Sequence, residues 1–299
     1  MDNQIKQKQK IRKEVQSEIQ EWSERKVLYQ ELDSFSKNVN KWSGLPFHPI
    51  RNVAAWGDDI TIVLGEMILS VINMMSAARF YKDNVPQTTQ PSHNDEFLSY
   101  YAKNVFVLIE TFKDKIGLLV LSLFEDFDPN SEWLADFEKV MKKLKTYLSS
   151  SNDYIKFNAD LLLKKLSPLG KEVNIEFEFV EEFRNQRIHK MEPRIEIYGK
   201  KPFQDWRYLF KIDKSLVSDE LIRLDKELSI SYPDERIRKD VINGCFIKGE
   251  LYVDKKLSRL YSYSEIEDAA IKCAKILMSV SADCFKVITP LLTNYEELR

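Results

Sequence analysis

IEFEFVEEFRNQRIHKMEP, residues 175–193, divides the chain in two. Before it, long segments repeat apolar residues at helical spacing; after it, short segments alternate large apolar with polar residues. The stretch itself reads as a helix running from about Ile175 and stopping before Pro193, whose ring cannot continue one. At about 100° per residue, Phe179, Val180 and Phe183 share one side of that helix. Arg184, Asn185, Ile188 and His189 are expected on the opposite arc, facing a groove or a partner and not the core.

Upstream, helical patterns are predicted over about 56–82, 95–126, 131–149 and 152–166. In the second, Val105, Leu108, Ile109, Phe112, Ile116, Leu119 and Leu123 recur at helical spacing, while Glu110, Lys113, Asp114 and Lys115 form a charged group in its first half. NVPQTTQPSHND (residues 84–95) and SPLGKEVN (residues 167–174) read as loops, and SGLPFHPIRN (residues 43–52) as a linker. His48 and His93 fall in these loops. Residues 5–40, rich in Lys, Glu and Gln and free of Gly and Pro, are predicted to form one exposed, protruding helix.

Downstream, IEIYG, WRYLFKI (206–212) and LSISY (228–232) are expected as strands, and CFIKGELYV (245–253) as a hairpin turning at Lys248-Gly249. Helical spacing returns from Tyr263 to Leu292. The fold class expected is therefore mainly α: a helical bundle with a small β-rich insert before its last helix. The corresponding divisions are 1–45 (charged N-terminal helix), 46–195 (bundle carrying the motif), 196–255 (insert) and 256–299 (last helix).

Composition narrows the function. The 299 residues carry 45 basic and 47 acidic side chains, so net charge gives no drive toward nucleic acid or membrane. Eight glycines provide no phosphate-binding loop, and three cysteines, Cys245, Cys273 and Cys284, have no metal-ligand spacing. The expectation is a cytoplasmic chain without cofactor or metal. Residues 60–78 are apolar but carry Glu66, and read as a buried helix and not a membrane span. One segment is locally basic: residues 184–214 hold nine Lys and Arg against four Asp and Glu. Arg187, Lys190, Arg194, Lys200, Lys201 and Arg207 are the candidates within it for contact with a phosphate backbone. Trp206, Tyr208 and Phe210 fit either base stacking or the inner face of a small sheet.

With 13 Arg, 15 Asn and 3 His in the chain, Arg-Asn-x3-His is expected by chance about 0.007 times, so RNQRIH (184–189) is informative. This segment resembles the Arg-x4-His signature of the HEPN superfamily in its Arg-Asn-x3-His form, carried late in a helical bundle and followed by one more long helix. DKIG (114–117) is similar to a recurrent stretch of one bacterial branch. The resemblance spans residues 50–195 and 256–295. It implies a metal-independent endoribonuclease, dimeric, of the toxin or anti-phage defence kind, restrained by an antitoxin or another regulatory partner. Arg184, Asn185 and His189 are then the catalytic candidates, with Glu110 and Asp114 orienting them. The implied alternative is an inactive HEPN-like unit for dimerisation or nucleotide binding, and a further one is a scaffold in which Arg184 and His189 form salt bridges with Glu110 or Asp114.

The chemistry agrees with the resemblance. RNA cleavage without metal needs a base, an acid and cations for the phosphorane, and one motif supplies a single histidine. Two motif helices across a two-fold axis would supply two, so RNA and a second copy of the chain are the expected partners.

Overall fold

The computed structural model describes residues 2–40, 50–84, 93–125, 137–189, 194–197, 207–256 and 260–293. Ten α-helices and five short strands occur among them: α1 Asp2–Gln20, α2 Ser23–Asn40, α3 Ile50–Asn84, α4 His93–Leu121, α5 Phe137–Thr146, α6 Asp153–Leu166, α7 Ile175–His189, β1 Arg194–Glu196, β2 Arg207–Lys211, α8 Val217–Ser231, α9 Glu235–Gly244, β3 Phe246–Ile247, β4 Glu250–Lys256, β5 Leu260–Ser262 and α10 Tyr263–Leu291. The fold is mainly α, and helices α1 to α7 and α10 share one hydrophobic core.

Long helices α3, α4 and α10 form the centre of the bundle. Met67, Val71 and Met75 of α3, Phe106, Ile109 and Phe112 of α4, and Cys273, Leu277 and Phe285 of α10 are all buried. Among the described residues α3 is the one helix long and apolar enough to cross a bilayer. It packs against α1, α2, α4 and α10, with Ile60, Leu64 and Met74 sealed from solvent, so it serves as a core helix. Cys273 and Cys284 are free thiols inside this core, and burial raises both pKa values, which keeps them unreactive.

The N-terminal segment corrects the sequence reading. In place of one protruding helix there are two, and each lays an apolar stripe on the bundle: Ile11, Val15 and Ile19 from α1, and Leu28, Leu32 and Phe35 from α2. These positions recur every three or four residues, so burial is available despite the polar composition. His93, expected in a loop, is the first residue of α4, while residues 41–49, with His48, lie outside the described residues.

The stretch 114–117 docks α5 and α3 on α4. Asp114 Oδ1 accepts the backbone N–H of Phe137 (3.0 Å), the first residue of α5. Lys115 pairs with Asp59 and lies over the Trp56 ring (5.1 Å to the centroid), both on α3. A methyl group on Gly117 would stand 3.2 Å from Phe137 Cδ2 and 3.3 Å from Val140 Cγ1, so the missing side chain permits the close approach of α5.

The insert leaves and rejoins the bundle at adjacent points, because β1 pairs in parallel with β5: Arg194 with Leu260, Ile195 with Tyr261, Glu196 with Ser262. Ser262 then caps α10, its hydroxyl accepting Glu265 N–H while Glu265 accepts the Ser262 N–H, a reciprocal capping box. Within the insert, β2, β4 and β3 form an antiparallel sheet in that order. The expected turn is present: Lys248 (φ 52°) and Gly249 (φ 78°) form the two-residue loop between β3 and β4, as a right-twisted hairpin requires. LSISY, expected as a strand, instead lies mostly in helix α8. Leu221, Leu224 and Leu228 set a helical stripe over a longer window, and the five-residue alternation is incidental to it. With α8 and α9 contributing 15 and 10 residues against 5, 2 and 7 in β2, β3 and β4, the insert is mixed and not β-rich.

Candidate functional site

Helix α7 starts where Asn174 supplies its side-chain oxygen to the N–H of Glu176 (3.2 Å) and its carbonyl to that of Phe177 (3.1 Å). Glu176 and Glu178 in the first turn suit the positive end of the helix dipole. Glu176 also accepts Lys272 of α10 at 3.0 Å, and this pairing holds its carboxyl below the usual range.

Aromatic contacts to α4 and β5 set the rotation of α7. Phe183, fully buried, meets Phe106 of α4 edge to face (centroids 4.9 Å apart) and Tyr261 of β5 at 4.8 Å. Phe179 meets Tyr261 at 5.5 Å. Tyr263, just beyond, donates its hydroxyl to Met74 O of α3 (3.1 Å). The insert's return strand thus locks the motif helix from behind. Sequence reasoning missed Tyr261 in this role, since no local pattern links it to a residue 78 positions earlier.

With Phe183 fixed, Arg184 and Asn185 are both partly buried. Arg184 does not point away from the bundle as expected. It lies four residues after Val180, about 40° further round the helix, and so remains on the flank that meets α4. Its charge opposes the burial-driven pKa rise of both Glu110 and Asp114. Even so, among the described residues Arg184 has no carboxylate within ion-pair distance, so the salt bridges of the scaffold reading are not formed by this side chain.

Glu110 is committed elsewhere. Its Oε2 pairs with Lys113 Nζ at 3.0 Å, both side chains being only 4% exposed, and its Oε1 has no hydrogen-bond partner. Burial raises the Glu110 pKa, and Lys113 then works against that rise. The ammonium also lies between the rings of Phe137 (5.5 Å) and Phe177 (5.6 Å). Neither Glu110 nor Lys113 lies on a solvated face, and the signal for their pairing available in sequence was their i,i+3 spacing. Asp114, one turn on, is pushed up to about 7, chiefly by burial, with Glu110 adding to the rise and the Phe137 N–H opposing it.

The structure therefore brings Arg184, Glu110, Lys113 and Asp114 into one cluster between α4 and α7. His189 is the last residue of α7. The side chains of His189 and Arg187 lie outside the described residues, as do those of Arg194 in β1 and of Arg207, Tyr208 and Phe210 in β2. Lys190, Lys200, Lys201 and Trp206 lie wholly outside them.

No curated protein and no solved structure matches the chain. A family model does, over residues 56–217, from the second turn of α3 through α7 to the start of α8. That span holds the whole Arg184–His189 motif and the α4 cluster, and ends before α10, which the wider resemblance had included. It is the model described as Cthe2314-like HEPN, it covers more than half of the residues, and the chain is a member of that HEPN family.

Proposed function

We propose that the protein is a metal-independent endoribonuclease whose site forms between two copies of the chain, serving as a toxin or anti-phage effector held in check by a regulatory partner. Membership of a HEPN family suggests a nuclease or nucleotide-related role. The observation that carries the finer reading is the intact Arg184-Asn185-x3-His189 motif on one helix, with Arg184 partly buried and committed to no described carboxylate.

In this mechanism the 2′-hydroxyl of the substrate attacks the adjacent phosphorus. The O2′–P bond forms as the P–O5′ bond breaks, giving a 2′,3′-cyclic phosphate and a 5′-hydroxyl. One copy's His189 takes the 2′ proton as base, and the other copy's imidazolium gives a proton to O5′. Arg184 holds two non-bridging oxygens with its planar fork as charge builds on the phosphorane. Asn185, one turn before His189, fixes the imidazole or a phosphate oxygen by hydrogen bonding. Glu110 and Asp114, on α4, act on Arg184 through their charge alone, without an ion-pair contact. The basic residues Arg187, Lys190, Arg194, Lys200, Lys201 and Arg207 carry the RNA backbone past the site.

The test is growth and total-RNA integrity on induction of wild type beside His189→Ala at equal expression. Toxicity and fragmentation that vanish in the variant support the reading. RNA left intact by wild type, purified and incubated as a dimer with EDTA, rejects it and favours an inactive dimerisation or nucleotide-binding unit.

A further inference from the structure

Seventeen large apolar side chains are exposed among the described residues, and eight of them lie between Leu216 and Ile247, so apolar exposure is concentrated on the insert. The insert's own core is small: Ile212 and Leu251 are buried, with Val217, Leu221 and Leu224 packed on them. Helices α8 and α9 hold no buried residue. They are amphipathic helices whose outer face is covered by no described segment of the chain.

One ion pair fixes how they lie. Arg238 of α9 donates its Nε to Asp225 Oδ1 of α8 (2.8 Å) and its Nη1 to the carbonyls of Tyr232 and Pro233 in the turn (3.1 and 2.8 Å), which sets an antiparallel register. Ile222, three residues before Asp225, is then level with Val241, three residues after Arg238. At about 100° per residue, each lies about 60° round its helix from the paired residue, in opposite senses, which on antiparallel helices is the same side of the pair. Leu221 and Leu224 turn the other way, toward the small core. Ile222 (71% exposed), Val241 (36%) and Ile237 (48%), one turn before Val241, thus form an apolar patch on the outside of the helix pair.

Charges frame that patch in a definite order. Lys226 and Arg236 stand toward the turn between the helices, while Asp219 and Asp240 stand toward the opposite end. All four are exposed, and none has an ion-pair partner among the described residues. Their neighbours do: Arg223 pairs with Glu220 and Glu227, Arg238 with Asp225, and Lys239 with Glu235. An apolar centre with cations at one end and anions at the other is complementary to itself turned end for end. Two charges of each sign also give no net attraction for nucleic acid.

We infer that α8 and α9 dock on the same helices of a second copy of this chain, about a two-fold axis running across them, to form a four-helix contact. Ile222, Ile237 and Val241 of both copies pack at the axis, and Lys226 and Arg236 of each copy meet Asp219 and Asp240 of the other. The family match ends at residue 217, the first of α8, so this surface lies outside the matched domain and stands without the ribonuclease reading.

Sedimentation equilibrium of the full-length protein tests this, with two charge-reversed variants, Lys226→Glu/Arg236→Glu and Asp219→Lys/Asp240→Lys. Wild type is expected to form an assembly whose mass falls by at least half in either variant alone, because like charges then meet at both ends of the contact. Mixing the two variants in equal amounts should restore the wild-type mass, and so should one chain carrying all four changes, since each combination returns opposite charges to register. Such recovery excludes misfolding as the cause of the loss. Ile237→Asp should dissociate the assembly. His189→Ala, which removes the ribonuclease chemistry, should leave the mass unchanged, so failure of that reading is told apart from failure of this one. Equal mass in wild type and either charge-reversed variant overturns the inference and leaves the patch to a different partner; loss of mass without recovery on mixing overturns it as well.

Discussion

Lys113 Nζ and Glu110 Oε2 meet at 3.0 Å inside the bundle, one helical turn apart on α4 and directly behind the motif helix. A buried pair of this kind is weak evidence of net stabilisation, because desolvating two ions costs much of what their attraction returns. Breaking it is another matter. Lys113→Met leaves Glu110 charged, buried and alone, and is expected to cost about 3–5 kcal/mol in urea unfolding. Adding Glu110→Leu should recover most of that loss. A neutral Lys113→Met would show that water reaches the pair.

Asp114 makes a pH prediction. Its folded pKa of about 7 exceeds the unfolded 3.8, so the folded state holds the proton more tightly. The stability tied to that proton is fully present below about pH 4 and is lost as pH rises through about 7. Asp114→Asn keeps an oxygen for the Phe137 N–H and removes the titration. It should raise stability at pH 8 by on the order of 1–3 kcal/mol relative to its effect at pH 5. Parallel wild-type and variant stability curves over pH 5–8 would contradict this.

For Arg184, two substitutions separate charge from geometry. Arg184→Ala is expected to lower RNA cleavage by about a hundredfold or more, the scale of losing a donor to developing charge. Arg184→Lys keeps the charge without the fork and should recover little of the rate. Both should melt within a few degrees of wild type, since the side chain is only partly buried and its loss orphans no described partner. Full activity in Arg184→Lys would reduce its role to a point charge.

Gly57 is predicted to resist a substitution that helix propensity favours. Alanine is better than glycine in a helix by about 1 kcal/mol. Here, however, its methyl would lie 2.3 Å from Phe35 Cε1, and Phe35 is packed edge to face on Phe285 at 5.0 Å. Gly57→Ala should therefore destabilise, by about 1–3 kcal/mol in thermal or urea unfolding, by forcing the ring out of the α2–α10 contact. A stabilised variant would mean that Phe35 repacks at no cost.

Tyr261→Ala should couple stability to activity. The ring backs both Phe179 and Phe183, and its loss opens a cavity worth about 3–5 kcal/mol. Below its own melting point the variant should still cleave more slowly than wild type, because α7 is no longer fixed in rotation. Unchanged kcat in the folded variant would show that α4 alone positions the motif.

Sequence by itself determined the local matters: the helices of the bundle, the Lys248-Gly249 hairpin, the β1 segment and the six-residue motif, because each rests on contacts or backbone preferences within a few residues. The same locality explains the miss at LSISY, where five alternating residues could not reveal the leucine stripe of the surrounding helix. Tertiary structure decided what those elements face. α1 and α2 are as polar as solvated helices, yet their few apolar positions find α3 and α10. Glu110 and Lys113 look like members of a charged surface, yet α5 and α7 close over them with Phe137 and Phe177. Arg184 meets α4 because Phe106 and Tyr261, distant in sequence, grip the preceding phenylalanine and fix the helix's rotation. Helical periodicity says which residues share a face; only packing between distant segments says which face is covered.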